Sequence, residues 1–242
     1  MPEPHWKVEV LLAGSWRGAT SVLLSNGRFH AVVDTGLPHE AHQLVSALGA
    51  RGLRPEDVKI LINTHFHVDH VLNNSLFPSA QIYAPKESYD WCRSLYDDLL
   101  DQHDWARLVL KYYPETFEYV KAKENLEKMR NFVLRWWDVK RLGAPTQFKW
   151  LENENLPEDI EVVRTSGHVP GHVSLIIRNS NGTTVIAGDV VLSREHEERV
   201  LTMIPFNRKQ FQADRARLLS IHGRMIPGHD REFVVLPGIT AL

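Results

Sequence analysis

Apolar and polar positions along the chain predict alternating strands and helices. Residues 7–13, KVEVLLA, read as a strand. SVLLSNGRFHAVVDTG (21–36) reads as two β-rich runs joined at Asn26-Gly27, a pair that favours a tight hairpin because both residues accept positive φ. PHEAHQLVSALGARG (38–52) carries Ala41, Leu44, Val45 and Leu48 at spacings of three and four. That period predicts a helix, stopped at Gly49 or Gly52. DVKILINTH is apolar and β-branched, as a buried strand would be. Strand, helix, strand in this order implies a parallel pair, with ligand sites at the strands' C-terminal ends.

Residues 86–150 differ. Two long stretches have helical amphipathicity, and in the second Leu126, Met129, Val133, Trp136 and Trp137 fall on one face. Five of the seven tryptophans lie here, and the block reads as a helical insertion within a single domain spanning 1–242. The second half returns to β in IEVVRTSGH, VSLIIRNSNGTTVIAGDV and RMIPGHD. A helix separates the last two, with Asn207 as its N-cap and Gly223 as its stop. The halves echo each other. Asn26-Gly27 precedes Asp34 as Asn181-Gly182 precedes Asp189, and each aspartate is followed by a helix and a strand running into histidine, at His65 and His229.

The first of those strands runs into NTHFHVDHVLNN, which sets His65, His67, Asp69 and His70 within six positions. Imidazole and carboxylate are ligands for a divalent metal such as zinc. On an extended backbone His65 and His67 point the same way and reach one metal, while Asp69 and His70 reach a second. Further ligands must come from elsewhere, and His168, Asp189 and His229 stand at strand ends beside Gly167, Gly188 and Gly228. Taken singly, each is an ordinary structural or surface residue. His172, a surplus histidine in the same loop as His168, reads as a support rather than a ligand.

Composition narrows the classes. A formal net charge of −2 gives no footprint for nucleic acid or an anionic membrane. No apolar run is long enough to span a bilayer. The start of the chain is too polar for a secretory signal. The single cysteine, Cys92, allows no internal disulfide, which fits a cytoplasmic protein.

The motifs THFHVDH, VVDTG, TSGHVPGH, AGDV and PGH resemble those of the metallo-β-lactamase-fold hydrolases, in the family's order. The resemblance implies an α/β fold, an αββα sandwich of two similar halves. It implies that His65, His67 and His168 bind a first metal, that Asp69, His70 and His229 bind a second, that Asp189 bridges, and that Asp34 buttresses. The cofactor would be two divalent ions, zinc first, with iron or manganese as alternatives. Histidine at position 67 sets the chain apart from the flavodiiron relatives, and aspartate at 189 from the true β-lactamases. The full second set sets it apart from the mono-iron persulfide dioxygenases. Spelling is nearest to the N-acyl homoserine lactonases, so a metal-held hydroxide attacking a lactone or ester carbonyl is expected, with Asp69 as the catalytic carboxylate. Glyoxalase-II-like thioesterases and phosphodiesterases remain alternatives. From a different class, so does a metal-containing ligand-binding sensor with little turnover. The lactonases' tyrosine after the bridging aspartate is missing from GDVVLSREHEE. His196 is one substitute for contacting substrate, and Tyr112 or Tyr113 another. The aromatic block would line a pocket for a small molecule with an apolar acyl part, or form a homodimer interface.

Overall fold

A computed structural model describes residues 6–15, 18–101, 104–115, 118–156, 160–194 and 205–237. Two sheets face one another. The first has the strand order β1 (Lys7–Leu12), β2 (Ser21–Ser25), β3 (His30–Val33), β4 (Ile60–Ile62), β5 (Gln81–Ala84) and β6 (Phe148–Trp150). The second has the order β11 (Phe233–Val235), β10 (Gly223–Pro227), β9 (Gly182–Gly188), β8 (Val173–Asn179) and β7 (Ile160–Arg164). The α-helices among the described residues are α1 (Ala41–Gly49), α2 (Val68–Val71), α3 (Lys86–Asp101), α4 (Trp105–Tyr112), α5 (Tyr119–Trp136) and α6 (Arg208–Leu219).

The period-two side-chain alternation of each strand divides the core into three layers. Val22, Leu24, Ala31, Val33, Ile60 and Ile62 of the first sheet meet Ile160, Leu175, Ile177, Ile186 and Ile226 of the second. The intervening Leu23, Val32, Leu61 and Ile82 point the other way, to α1, α3, α4 and α5. On the far side, Ile176, Val185, Ala187 and Met225 pack on Leu218 of α6. The result is the αββα sandwich expected from the motifs, with the central strands of both sheets buried on both faces.

The repeated unit is present in the topology. In the first half β2 and β3 pair antiparallel, α1 follows, and β4 lies parallel to β3. In the second, β8 and β9 pair antiparallel, α6 follows, and β10 lies parallel to β9. Both units therefore deliver a strand-end aspartate and a strand-end histidine to the same side of their sheet.

Several local expectations change. Asn26-Gly27 does not form a turn with two positive φ angles; only Gly27 has one, 79°. Ser25 pairs with His30, and the four intervening residues are held by the Asn26 side chain, which accepts the N–H groups of Arg28 (3.0 Å) and Phe29 (2.8 Å). Asn207 caps α6 as predicted, accepting from the Gln210 N–H at 2.8 Å. The helix ends at Leu219, however, and Gly223 opens β10 rather than stopping α6. Residues 148–150, grouped by sequence with the helical block, form the edge strand β6 beside β5. In α5, Leu126 and Val133 are buried and Met129 and Trp136 pack beside them, with Trp137 just past its end. Among the described residues, no helix is long and apolar enough to cross a membrane.

The layering carries a stability prediction. Ile177 is fully buried between the sheets, whereas Val45, on the helical pattern of α1, is 38% exposed. Ile177→Ala should cost about 2–5 kcal/mol and Val45→Ala less than about 0.5 kcal/mol, read from denaturant midpoints. Equal costs would contradict the assignment of the inner face.

Candidate metal centre

The short loop after β4 reaches the site first. His67 is the extended residue before α2, and Asp69 and His70 stand on that single turn. Strand β9 ends at Gly188 and delivers Asp189, while β10 ends at Pro227 and delivers His229. His168 comes from the turn between β7 and β8. These seven residues assemble into two adjoining groups. One holds His65, His67, His168 and Asp189, all buried; the other holds Asp69, His70 and His229.

Distances within the assembly are short. The Nε2 atoms of His168 and His229 lie 3.4 and 3.3 Å from Asp189 Oδ2. His65 Nε2 lies 3.8 Å from the same oxygen, and His70 Nε2 lies 3.2 Å from Oδ1. His168 Nε2 is 3.1 Å from His67 Nδ1, and His229 Nε2 is 3.4 Å from Asp69 Oδ2. Ligand bonds of about 2.0–2.1 Å in a tetrahedron put neighbouring donors roughly 3.3 Å apart. The Asp189 carboxylate touches both groups, as a bridging ligand would.

The backing hydrogen bonds decide which nitrogens are free. His70 Nδ1 lies 2.8 Å from Asp34 Oδ2, so it donates there and turns Nε2 to face the site. His229 Nδ1 donates to the Ser15 carbonyl at 2.8 Å, with the same consequence. Thr64 Oγ1 donates to Asp34 Oδ2 at 2.7 Å, so it accepts from His65 Nδ1 at 3.1 Å and frees His65 Nε2. Asp34 thus holds the site from behind. It also accepts the Thr64 N–H at 2.9 Å, and it keeps a positive φ of 53°, which aspartate tolerates better than most residues.

His172 also turns its ring to support. Its Nε2 accepts the Asp189 N–H at 3.1 Å, so its proton sits on Nδ1, 2.8 Å from Thr165 Oγ1. The chain continues through Ser174 Oγ at 3.0 Å to the Ala187 carbonyl at 2.8 Å. Every hydroxyl in this line has one donor role and one acceptor role filled. Two glycines make room. A Cβ on Gly228 would sit 2.2 Å from Asp189 Oδ1, and one on Gly188, whose φ is 56°, would sit 2.6 Å from His172 Nε2.

Electrostatics follow burial. Desolvation holds His65 and His168 well below the usual imidazole range, His67 at about 4 and His172 at about 3. Those rings are neutral, the form that ligates. Burial also opposes charge on His70 and His229, but Asp189 and its acidic neighbours outweigh it, raising His70 well above its usual range and His229 to about 9. Burial likewise opposes the Asp189 carboxylate. His229 and His70 overcome that and hold it well below the carboxylate range.

The donor set fits a metal on evidence of its own. His65 Nε2, His70 Nε2 and Asp189 Oδ1 are buried without a hydrogen-bond partner, although such atoms are costly to strand. His65 belongs to the first group, His70 to the second and Asp189 lies between them, so cations held by the two groups would satisfy all of them.

Other candidates fare differently. His196 lies outside the described residues. The Tyr112 hydroxyl is taken up by Asp98 Oδ2 at 2.8 Å and Ser94 Oγ at 3.3 Å, which commits it to packing of α4 on α3. Sequence patterns pointed to the aromatic block and to Tyr113 but not to Phe206, which lies against His168. The Phe206 N–H donates to the His168 carbonyl at 2.9 Å, and its ring meets Trp91 of α3 edge-on at 5.9 Å. Trp91 in turn touches Tyr113 at 6.4 Å.

Comparison with known proteins agrees with this architecture. Metallo-beta-lactamase domain-containing protein 1 of Xenopus laevis is 29% identical over 96% of this chain and 83% of its own length. An N-acyl homoserine lactonase of a Bacillus species is 22% identical over 80% of this chain and 64% of its own. Among solved structures, a metallo-beta-lactamase family protein from Thermus thermophilus superposes with a TM-score of 0.62 at 20% identity, covering 94% of this chain and 75% of that one. The dizinc quorum-quenching lactonase AidC gives a TM-score of 0.56 at 17% identity, covering 93% and 85%. Residues 14–229 match the profile of the metallo-beta-lactamase superfamily, and the chain belongs to it.

Proposed function

We propose that this protein is a dinuclear metal-dependent hydrolase that opens a lactone or ester whose acyl part is apolar. The observation that carries the reading is the buried carboxylate of Asp189, which lies within 3.2–3.8 Å of one imidazole nitrogen on each of His65, His70, His168 and His229. His65, His67 and His168 would hold one ion, and Asp69, His70 and His229 the other, with Asp189 common to both.

When bound, two divalent cations, zinc in the first instance, would supply Lewis-acid chemistry that lowers the pKa of water and polarises a carbonyl. The protein's own groups do the rest. Asp34, Thr64 and the Ser15 carbonyl orient His70, His65 and His229, so these three rings need not reorient during turnover. Asp69 stands at the open edge, its side chain 21% exposed, where its carboxylate can take a proton and return it to the leaving alkoxide. The wall of Trp91, Tyr113 and Phe206 offers apolar surface to the acyl part and keeps water from that side. The likeness to N-acyl homoserine lactonases is consistent with a ring-opening substrate of this type.

Activity should vanish with a chelator and return with zinc when lactones, thioesters and phosphodiesters are screened in parallel. Lactone turnover is the expected positive. Full metal occupancy with no turnover on any class would replace the enzyme with a sensor. Asp69→Ala should cut kcat by about 10²–10⁴ with an unchanged circular dichroism spectrum; near-normal turnover would remove Asp69 from the proton path. His172→Phe, which strips the acceptor from the Asp189 N–H, should weaken metal affinity about 10–100-fold in chelator competition. Unaltered affinity would mean that the contact does not steady the carboxylate.

A further inference from the structure

Phe66 separates His65 from His67, and its backbone is buried in a loop that belongs to neither strand nor helix. Its N–H and C=O nevertheless both have partners, and both partners are side chains of α3. The N–H donates to Ser88 Oγ at 3.0 Å, and the carbonyl accepts from the Tyr96 hydroxyl at 2.8 Å. Ser88, Cys92 and Tyr96 recur every four residues along one stripe of α3, and all three are fully buried. From behind, Trp137 packs on the Tyr96 ring at 4.5 Å between centroids.

These two bonds act on different peptide planes. The Phe66 N–H belongs to the plane that follows His65, and its C=O to the plane that precedes His67. Holding both planes holds one of the two that flank each histidine and so constrains the direction in which each leaves the backbone.

We propose that Ser88 and Tyr96 are positioning residues for the metal centre, the means by which the helical block sets the angle between His65 and His67. This rests on the metal-centre reading above. It gives the tryptophan-rich block a role separate from lining a pocket: Trp137, at the end of α5, braces Tyr96, Tyr96 and Ser88 hold Phe66, and Phe66 aims two ligands.

The test uses the full chain and cobalt(II) as the probe. Tyr96→Phe and Ser88→Ala each delete one oxygen. Each should lower cobalt affinity about 10–100-fold, shift the visible ligand-field bands, and speed amide exchange at residues 65–67 at least several-fold in the metal-free protein. Ile177→Val, which thins the core between the sheets, is the control and should leave bands and local exchange unchanged. Should Tyr96→Phe fail to fold, Ser88→Ala carries the test with the same readouts. Wild-type loading with unchanged bands, affinity and exchange in the variants would overturn the clamp alone. A wild-type chain that takes up no cobalt would overturn the metal-centre reading and the clamp together.

Discussion

One buried carboxylate governs the arrangement. Asp189 is 1% exposed, and an isolated charge at that depth costs far more than folding can spare. It persists because imidazoles from the other elements surround it. The demand runs both ways, since His65 and His168 are themselves buried and neutral, with nitrogens that need something to bind. Carboxylate and imidazoles solve each other's desolvation only if both sheets end at the same place.

The repeated unit brings this about. Asp34 and Asp189 hold matching places in the two halves, each just beyond a strand, and their surroundings have diverged. Asp34 meets Thr64 and the far side of His70, whereas Asp189 meets the near side of the histidines from both halves. The same element therefore serves once as a backing group and once as the centre. What separates the roles is which nitrogen of His70 each carboxylate faces.

Much of this was readable from residue order. The strands of the two units carry period-two alternation, the helices carry their three-and-four spacing, and the histidine cluster sits directly after an apolar strand. Three things were not readable. Strands β5, β6 and β11 are three or four residues long and lie outside the repeated hairpin, helix and strand units that made the equally short β3 and β4 legible. Asn26 makes its turn with a side chain, which a dipeptide preference does not reveal. The backing contacts join distant positions: Ser15 to His229 across 214 residues, Tyr96 to Phe66 across 30. No local pattern encodes a contact of that kind, because it exists only once the sheets have stacked.

That stacking gives the seam a mechanical meaning. Its donors come from both sheets and within each group lie no more than 4.8 Å from one another, while one residue along a strand advances the chain by about 3.3 Å. A slip of a single residue between the layers would scatter the cluster completely. An ion seated there ties the two halves as a rivet ties two plates, so its binding free energy is added to the cohesion of the sandwich. Loading and folding then draw on the same contacts, and the emptied protein is the looser one.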